Sequence, residues 1–401
     1  MKTVAVIGGG ASGIMAALSA AENPENRVIL IERQARIGKK LLATGNGRCN
    51  LTNTLASPES YFSGTRGFAL RALEAFPPSA AIEYFRSLGL VTSEQYGGRV
   101  YPLSDSAASV LDVLRFALDA AGVEVLAGEE VRSAAKSRAG FSVFTASRAV
   151  ECDALIIACG SKAGGKLGGV SFGYELLKSF GHSCTKLYPA LVPIVTDTDY
   201  PRSLKGVRAP AKIELYSGGR LLAASRGELQ FTETGVSGPA AFDVSRQASV
   251  EGGELVVSFL PDCGEQEIES LLLNRQRLSP SLDAGSIFAG ILHSRVGLAV
   301  VKSCGIRPSA EARGLSAAEI RSLSRAANSF RLQVKGTAGF DAAQLCAGGI
   351  NTAEFRPDTL ESRLVRGLFA CGEVLDVDGP CGGYNLQWAW SSGRLAGRIG
   401  E

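Results

Sequence analysis

Histidine is nearly missing from this chain, whose 401 residues include only His182 and His293. Chemistry that needs several imidazoles, as most zinc centres and many nucleophilic triads do, is therefore a poor fit, and no metal site is expected. Surplus charge is missing too. Forty-two Lys and Arg stand against 39 Asp and Glu, a net charge of +3, so no overall field draws the chain to nucleic acid or an anionic membrane. Any anion site must be local. No apolar run approaches the ~18 residues of a membrane span. The nine cysteines contain no CxxC, and their odd number fits poorly with a complete disulfide framework, which suggests reduced thiols in the cytoplasm. An N-terminal signal peptide is disfavoured because GGG interrupts MKTVAVIGGGASGIMAALSAA where an apolar core should be continuous. Neither an internal repeat nor a low-complexity tract is visible.

What is present is an ordinary globular balance, 45% hydrophobic and 20% charged, over a length that predicts two or three domains. Residues 3–7 form a β-branched and apolar run, Gly8, Gly9 and Gly10 follow, and residues 11–22 favour helix. ENPENR then breaks the helix, and VILIE supplies a second buried strand ending on Glu32. Gly8, Gly10 and Gly13 thus match GxGxxG between a strand and a helix, with an acid about 20 residues beyond. Gly8 serves the tight turn, Gly10 the approach to a pyrophosphate and Gly13 close packing, while the helix offers its first amides at Ala11 and Ser12. Glu32 is expected to bind the adenosine ribose and to disfavour a 2′-phosphate there. By itself this motif does not separate FAD from NAD.

Alternation continues with a helix over 107–121 and strands over 123–128, 141–146 and 153–160. Prolines at 189, 193, 201 and 210 then bracket alternating strands such as AKIELYS and ELVVSFL. The expected organisation is a Rossmann-like α/β FAD-binding domain over 1–190 and 346–401, an inserted β-rich domain over 191–264, a helical subdomain over 265–328, and a return strand of the insert within 329–345. A helix opening near Ser316 is predicted in LSAAEIRSLSRAAN, and NLQWAWSSGRLAGRI predicts a closing helix rich in small residues.

Two segments favour a flavin. DALIIACG ends on Cys159 and Gly160 like the ATG-type strand end of two-dinucleotide-binding flavoproteins, and GLFACGEVLDVDG is similar to their second FAD motif. Gly372, Glu373 and Asp376 are the candidates there, with Gly383, Tyr384, Asn385 and Leu386 presenting a helix N-terminus to the flavin pyrimidine. GKKLLATGNGRCNLTN, GELQFTETGVSGPAAFDVSR and GEVLDVDGPCGGYNLQWAWSSGRLAG, in that order, closely resemble a bacterial flavoprotein family of BaiN-like or aminoacetone-oxidase-like enzymes. The resemblance spans essentially the whole chain. It implies that the first of these stretches crosses from adenosine toward isoalloxazine. In that stretch Gly45 and Gly47 permit close approach, Lys40 and Arg48 neutralise negative charge, and Asn50 and Thr52 offer neutral hydrogen bonds. Arg33, Leu41, Cys49 and Val131 complete the expected cofactor contacts, although Cys49 reads first as a packed small residue.

The expected function is transfer of hydride from NAD(P)H through flavin to an activated double bond of a small substrate. The resemblance suggests a 3-oxo steroid-like enone, with Arg48, Tyr384 and Asn385 as candidate carbonyl donors. Alternatives are an oxidase of a small amine and a flavin-bearing RNA-binding or tRNA-modifying protein, for which the arginines of the helical part are the only charge signal. Two departures matter. Glu233 stands where the family pattern has histidine in FTHxGxSGP, and no second clean GxGxxG occurs, so a nicotinamide donor would dock transiently.

Overall fold

The structure is a computed structural model that describes residues 1–279 and 281–399; Pro280, Gly400 and Glu401, which fall within expected segments, lie outside the described residues. The chain divides into two units, Met1–Tyr188 with Gln344–Glu401 and Pro189–Ala343.

In the first unit five parallel strands lie in the order Leu368–Ala370, Ala154–Ile157, Lys2–Ile7, Asn26–Glu32 and Glu124–Ala127. Val6 pairs with Leu30 on one side and Ile156 on the other, and Ile157 pairs with Ala370. The central strands are buried on both faces, as a parallel sheet requires, which explains their continuous apolar sequence. The edge strand Leu368–Ala370 comes from near the C-terminus, more than 200 positions beyond the strand it pairs with. Small residues explain how the first helix, Ala11–Ala21, meets the closing helix, Tyr384–Ala396: a methyl at Gly393 would stand 2.4 Å from the Ser12 carbonyl oxygen, and one at Gly397 the same distance from that of Ala16. Glycines four apart on one helix thus face a serine and an alanine four apart on the other. Two three-stranded antiparallel sheets and a short antiparallel pair, Phe62–Ser63 with Val377–Asp378, lie in the same unit. Of the two sheets, one joins Ala149–Cys152, Phe141–Thr145 and Val131–Lys136; the other joins Thr52–Asn53, Arg99–Pro102 and Thr92–Gln95.

The second unit is a closed six-stranded barrel, with Arg208–Ser217 and Arg220–Phe231 as its long hairpin and Phe330–Thr337 as its final strand. Helices Glu265–Leu278, Ser294–Ser303 and Ala317–Asn328 precede that strand. The last of them opens with a capping box, Ser316 accepting from the Glu319 amide and Glu319 accepting from Ser316. Ile268, Leu272, Ile320 and Leu323 share one continuous core with barrel residues Ile213, Leu229 and Val257. Barrel and helices are therefore one packed body, because the amphipathic helices bury their apolar stripes on the barrel rather than on each other alone.

Candidate cofactor and substrate site

The glycine turn after the first strand is fixed by three separate constraints. Gly8 has φ of +110°, and a methyl there would lie 2.4 Å from the Ala158 carbonyl oxygen; at Gly13 one would lie 1.8 Å from that of Gly8. At Gly10 a methyl would meet nothing within 4 Å. The turn is thus packed on its protein side and open where the helix begins. No side chain caps that helix, so its first amides face the opening. Glu32 buttresses the turn: its two oxygens accept from the amides of Gly9 and Gln34, each at 2.7 Å, leaving the outer lone pairs for a ribose. An open glycine, uncapped amides and an acid at the neighbouring strand end together fit a dinucleotide pyrophosphate and its ribose. Gly160, with φ of +68°, is open in the same way, while the Cys159 thiol beside it donates to the Ile7 carbonyl at 3.6 Å.

The stretch 44–50 leaves the first unit's core through consecutive left-handed residues: Gly45, Asn46 and Gly47 have φ of 57°, 58° and 88°, and Cys49 has 60°. Glycine at 45 is required by the Asn50 amide, 2.9 Å from where a methyl would stand. Leu41 and Cys49 are buried in the core and Val131 is buried at the start of its strand. Burial pushes the Cys49 thiol up to about 12, which makes it a packed side chain rather than a ready thiolate.

Several expected cofactor contacts have protein partners in the structure. Lys40 Nζ lies 2.8 Å from Glu373 Oε2, and Glu373 Oε1 also accepts from the Ser161 hydroxyl and the Cys346 amide. Arg48 pairs with Asp105 at 2.5 Å and stacks over the Tyr101 ring, so its charge is already compensated. Asn385 was expected to donate to a substrate carbonyl; instead its carboxamide donates to the carbonyls of Gly379 and Pro380 and accepts from the Gly379 amide. The cause in each case is tertiary proximity that sequence spacing does not encode. Arg33 donates to the Gly168 carbonyl, and Asp376 accepts from the Gly64 amide at 3.3 Å.

The closing helix opens at Gly383, φ +101°, without a side-chain cap. A methyl there would lie 2.4 Å from the Thr52 carbonyl oxygen and 2.9 Å from Asn50 Oδ1, so this turn and the 44–53 stretch are in contact. Partners missed by sequence reasoning hold the junction. Tyr61 donates to the Tyr384 carbonyl at 2.8 Å and sets its ring edge-on to that of Tyr384. Buried Gln387 accepts from Thr52 and donates to the Phe76 carbonyl and Ser391. A polar residue inside an otherwise apolar helical stripe was the available signal for Gln387; Tyr61 left none. Gly372, φ +74°, is placed against Ser12, and its carbonyl accepts from the Trp388 indole while Trp390 donates to Leu51. Both indoles therefore brace backbone rather than line a pocket.

His182 has acquired a triad-like setting, with Glu354 2.8 Å from Nδ1 and Ser362 2.9 Å from Nε2. Ser362 Oγ is buried and accepts from the Leu364 and Val365 amides, so its lone pairs are already engaged within the protein. Glu233, at the position where histidine was expected, is exposed and bonded to Lys205, which holds its carboxyl below the ordinary range. Among the described residues no group of His, Cys, Asp or Glu is arranged to hold a metal ion, no helix is long and apolar enough to cross a membrane, and the one five-stranded sheet is the parallel sheet described above.

Fold and glycine turn together define a protein of the Rossmann dinucleotide-binding class. The chain belongs to the HI0933-like protein Rossmann domain family, which matches residues 2–399. It is 40% identical to a 3-dehydro-bile acid delta(4,6)-reductase of Clostridium scindens over 99% of this chain and 98% of that protein. It is 32% identical to a ribosomal RNA dihydrouridine synthase of Escherichia coli, covering 96% and 95% of the two chains. Among solved structures, the 3-ketosteroid delta1-dehydrogenase of Sterolibacterium denitrificans matches over 99% of both chains at a TM-score of 0.45 and 13% identity.

Proposed function

We propose that the protein uses bound FAD to pass hydride from NAD(P)H to a carbon–carbon double bond conjugated to a carbonyl, in a small 3-oxo steroid-like acid. The end-to-end 40% identity with a bile acid reductase carries this reading. A delta(4,6)-reductase acting on a 3-oxo compound and a dihydrouridine synthase share one step, saturation of an alkene made electrophilic by a carbonyl, and the same fold serves both.

FAD supplies the hydride-accepting and hydride-donating ring position when bound. The chain's own contribution begins with Gly8, Gly10 and the amides of Ala11 and Ser12, which would hold the pyrophosphate, and Glu32, which would hold the ribose. The uncapped start of the closing helix turns partial positive charge toward the site, where it stabilises negative charge on a reduced ring or an enolate. Tyr61, Asn385 and Gln387 fix that turn, so its amides need no rearrangement when charge develops. With one parallel sheet described, the nicotinamide donor docks transiently rather than in a second Rossmann domain. Nine free thiols, several of them buried, suit a reducing compartment such as the cytoplasm.

A ribosomal RNA substrate is the second reading, favoured by the Escherichia coli relative. Against it, Arg313, Arg321, Arg325 and Arg331 each face a glutamate within their own surface, and Arg275 donates to the Ala289 carbonyl. That arrangement describes a solvated, self-neutralised face rather than a phosphate-binding one.

Anaerobic mixing tests the proposal. NADH or NADPH should bleach the flavin band, and a 3-oxo-4-ene bile acid should restore it. Failure of both nicotinamides to bleach the band at any practical concentration overturns the reductase reading, and peroxide release with an amine in their absence would replace it with the oxidase.

A further inference from the structure

The sequence singles out Asn50 and Thr52, but the side chain on which this region converges is that of Asn53. It ends the short strand Thr52–Asn53, opposite Arg99 in the antiparallel register, and it is buried. Its carboxamide serves three separate turns. Oδ1 accepts from the Leu55 amide at 2.9 Å, while Nδ2 donates to the carbonyls of Gly97 at 3.0 Å and Gly382 at 2.8 Å. One amide and two carbonyls allow the group a single orientation, so the direction of each bond is fixed.

The bond to Gly382 is the one that bears on chemistry. Gly382 and Gly383, with φ of +117° and +101°, lead into the 13-residue closing helix, and paired glycines leave the backbone wide conformational choice. Asn53 removes that choice at the peptide joining them. In a trans peptide the carbonyl and the N–H point in opposite directions, so a Gly382 carbonyl drawn to Asn53 turns the Gly383 N–H away from it. Among the described residues that N–H has no acceptor, and no side chain caps the helix. At the other end of the turn the Asn385 carboxamide holds Gly379 and Pro380. A turn held at both ends keeps its amides aimed one way, without reorganisation when charge develops in front of them.

We propose that Asn53 is a positioning residue of the cofactor site: by fixing the Gly382–Gly383 peptide it strengthens the binding of reduced over oxidised FAD and so raises the potential of the bound flavin. The inference rests on the reading of this helix opening as the place where negative charge on the reduced ring is stabilised, and it names the residue outside the helix on which that stabilisation depends.

The test is the midpoint potential of the FAD-loaded protein, measured by slow anaerobic reduction against a reference dye. Asn53→Ala should lower the ratio of affinities for reduced and oxidised FAD about tenfold, which makes the potential about 30 mV more negative for the two-electron couple. Oxidised FAD should still bind within about threefold of wild type. Asn53→Ser, which keeps one hydroxyl donor, should shift the potential by less, and it carries the test if the alanine variant fails to fold. Asn328 is the control, because its carboxamide also makes three bonds, to Ser258, Leu260 and Cys263, but in the second unit. Asn328→Ala should lower stability and leave the potential at the wild-type value. An unchanged potential in the Asn53 variants, an equal shift in Asn328→Ala, or equal loss of affinity for both redox states overturns the assignment. Because the dye titration needs neither nicotinamide nor substrate, a flavin that NADH and NADPH fail to bleach would sink the proposed reaction while this comparison could still succeed.

Discussion

Lys40 Nζ and Glu373 Oε2 lie 2.8 Å apart although 333 residues separate them in the chain. Through this pair the stretch that follows the second strand is tied to the strand end contributed by the C-terminus, and Ser161 and the Cys346 amide join the same carboxylate. Glu373→Ala leaves three donors without their acceptor. Because both side chains keep some solvent access, the expected loss is ~2 kcal/mol of stability. A double-mutant cycle with Lys40→Met, read by urea unfolding, should return a coupling of ~1 kcal/mol. Additive single effects would show that the pair contributes nothing.

The fingerprint glycines should separate into two kinds. Gly13→Ala forces a methyl to within 1.8 Å of the Gly8 carbonyl oxygen and should cost ~3 kcal/mol, lowering the thermal midpoint of the apoprotein. Gly10→Ala meets no protein atom within 4 Å. It should leave apoprotein stability within ~0.5 kcal/mol of wild type while weakening FAD at least about tenfold in a fluorescence titration. Unchanged FAD affinity in Gly10→Ala would rule out the pyrophosphate position.

Stability should fall on mild acidification through His182. Burial holds its imidazole below the ordinary value despite the opposing pull of Glu354. In the unfolded chain the group protonates near pH ~6.5, so below that point the unfolded state binds the extra proton. This contribution is complete above about pH 6.5 and is lost as pH falls from there toward the folded-state value. Urea midpoints measured on both sides of that window should differ more for wild type than for His182→Gln. Identical pH slopes would exclude the imidazole as the cause.

Thiol chemistry gives a third kind of check. Burial pushes Cys49, Cys152, Cys159 and Cys371 up to about 12. At about pH 8 all four should stay unmodified by iodoacetamide in the folded protein and react on denaturation. Rapid labelling of native Cys49 would restore it as a candidate redox thiol.

Much of the local architecture was legible because it follows short-range rules. The glycine turn, the buried strand over 154–157 and the Ser316 cap are each written in a few adjacent residues. The partners of Lys40, Arg48 and Asn385 were not, since a charge or carboxamide declares its capacity to bond but not the carboxylate or turn that tertiary folding brings to it. For the same reason the helices over 265–328 read as a subdomain: their apolar stripes were visible, while the barrel residues that cover them lie in other segments.

The edge strand Leu368–Ala370 and the helix Tyr384–Ala396 also set an order of events during biosynthesis. The barrel-containing segment 189–343 is continuous and can gather its core while synthesis is under way, whereas the first unit lacks its edge strand and closing helix until residue 396 has been made and released from the ribosomal tunnel. Products truncated before that strand would therefore emerge with a folded barrel and a first unit that lacks both its edge strand and the helix packed on Ala11–Ala21.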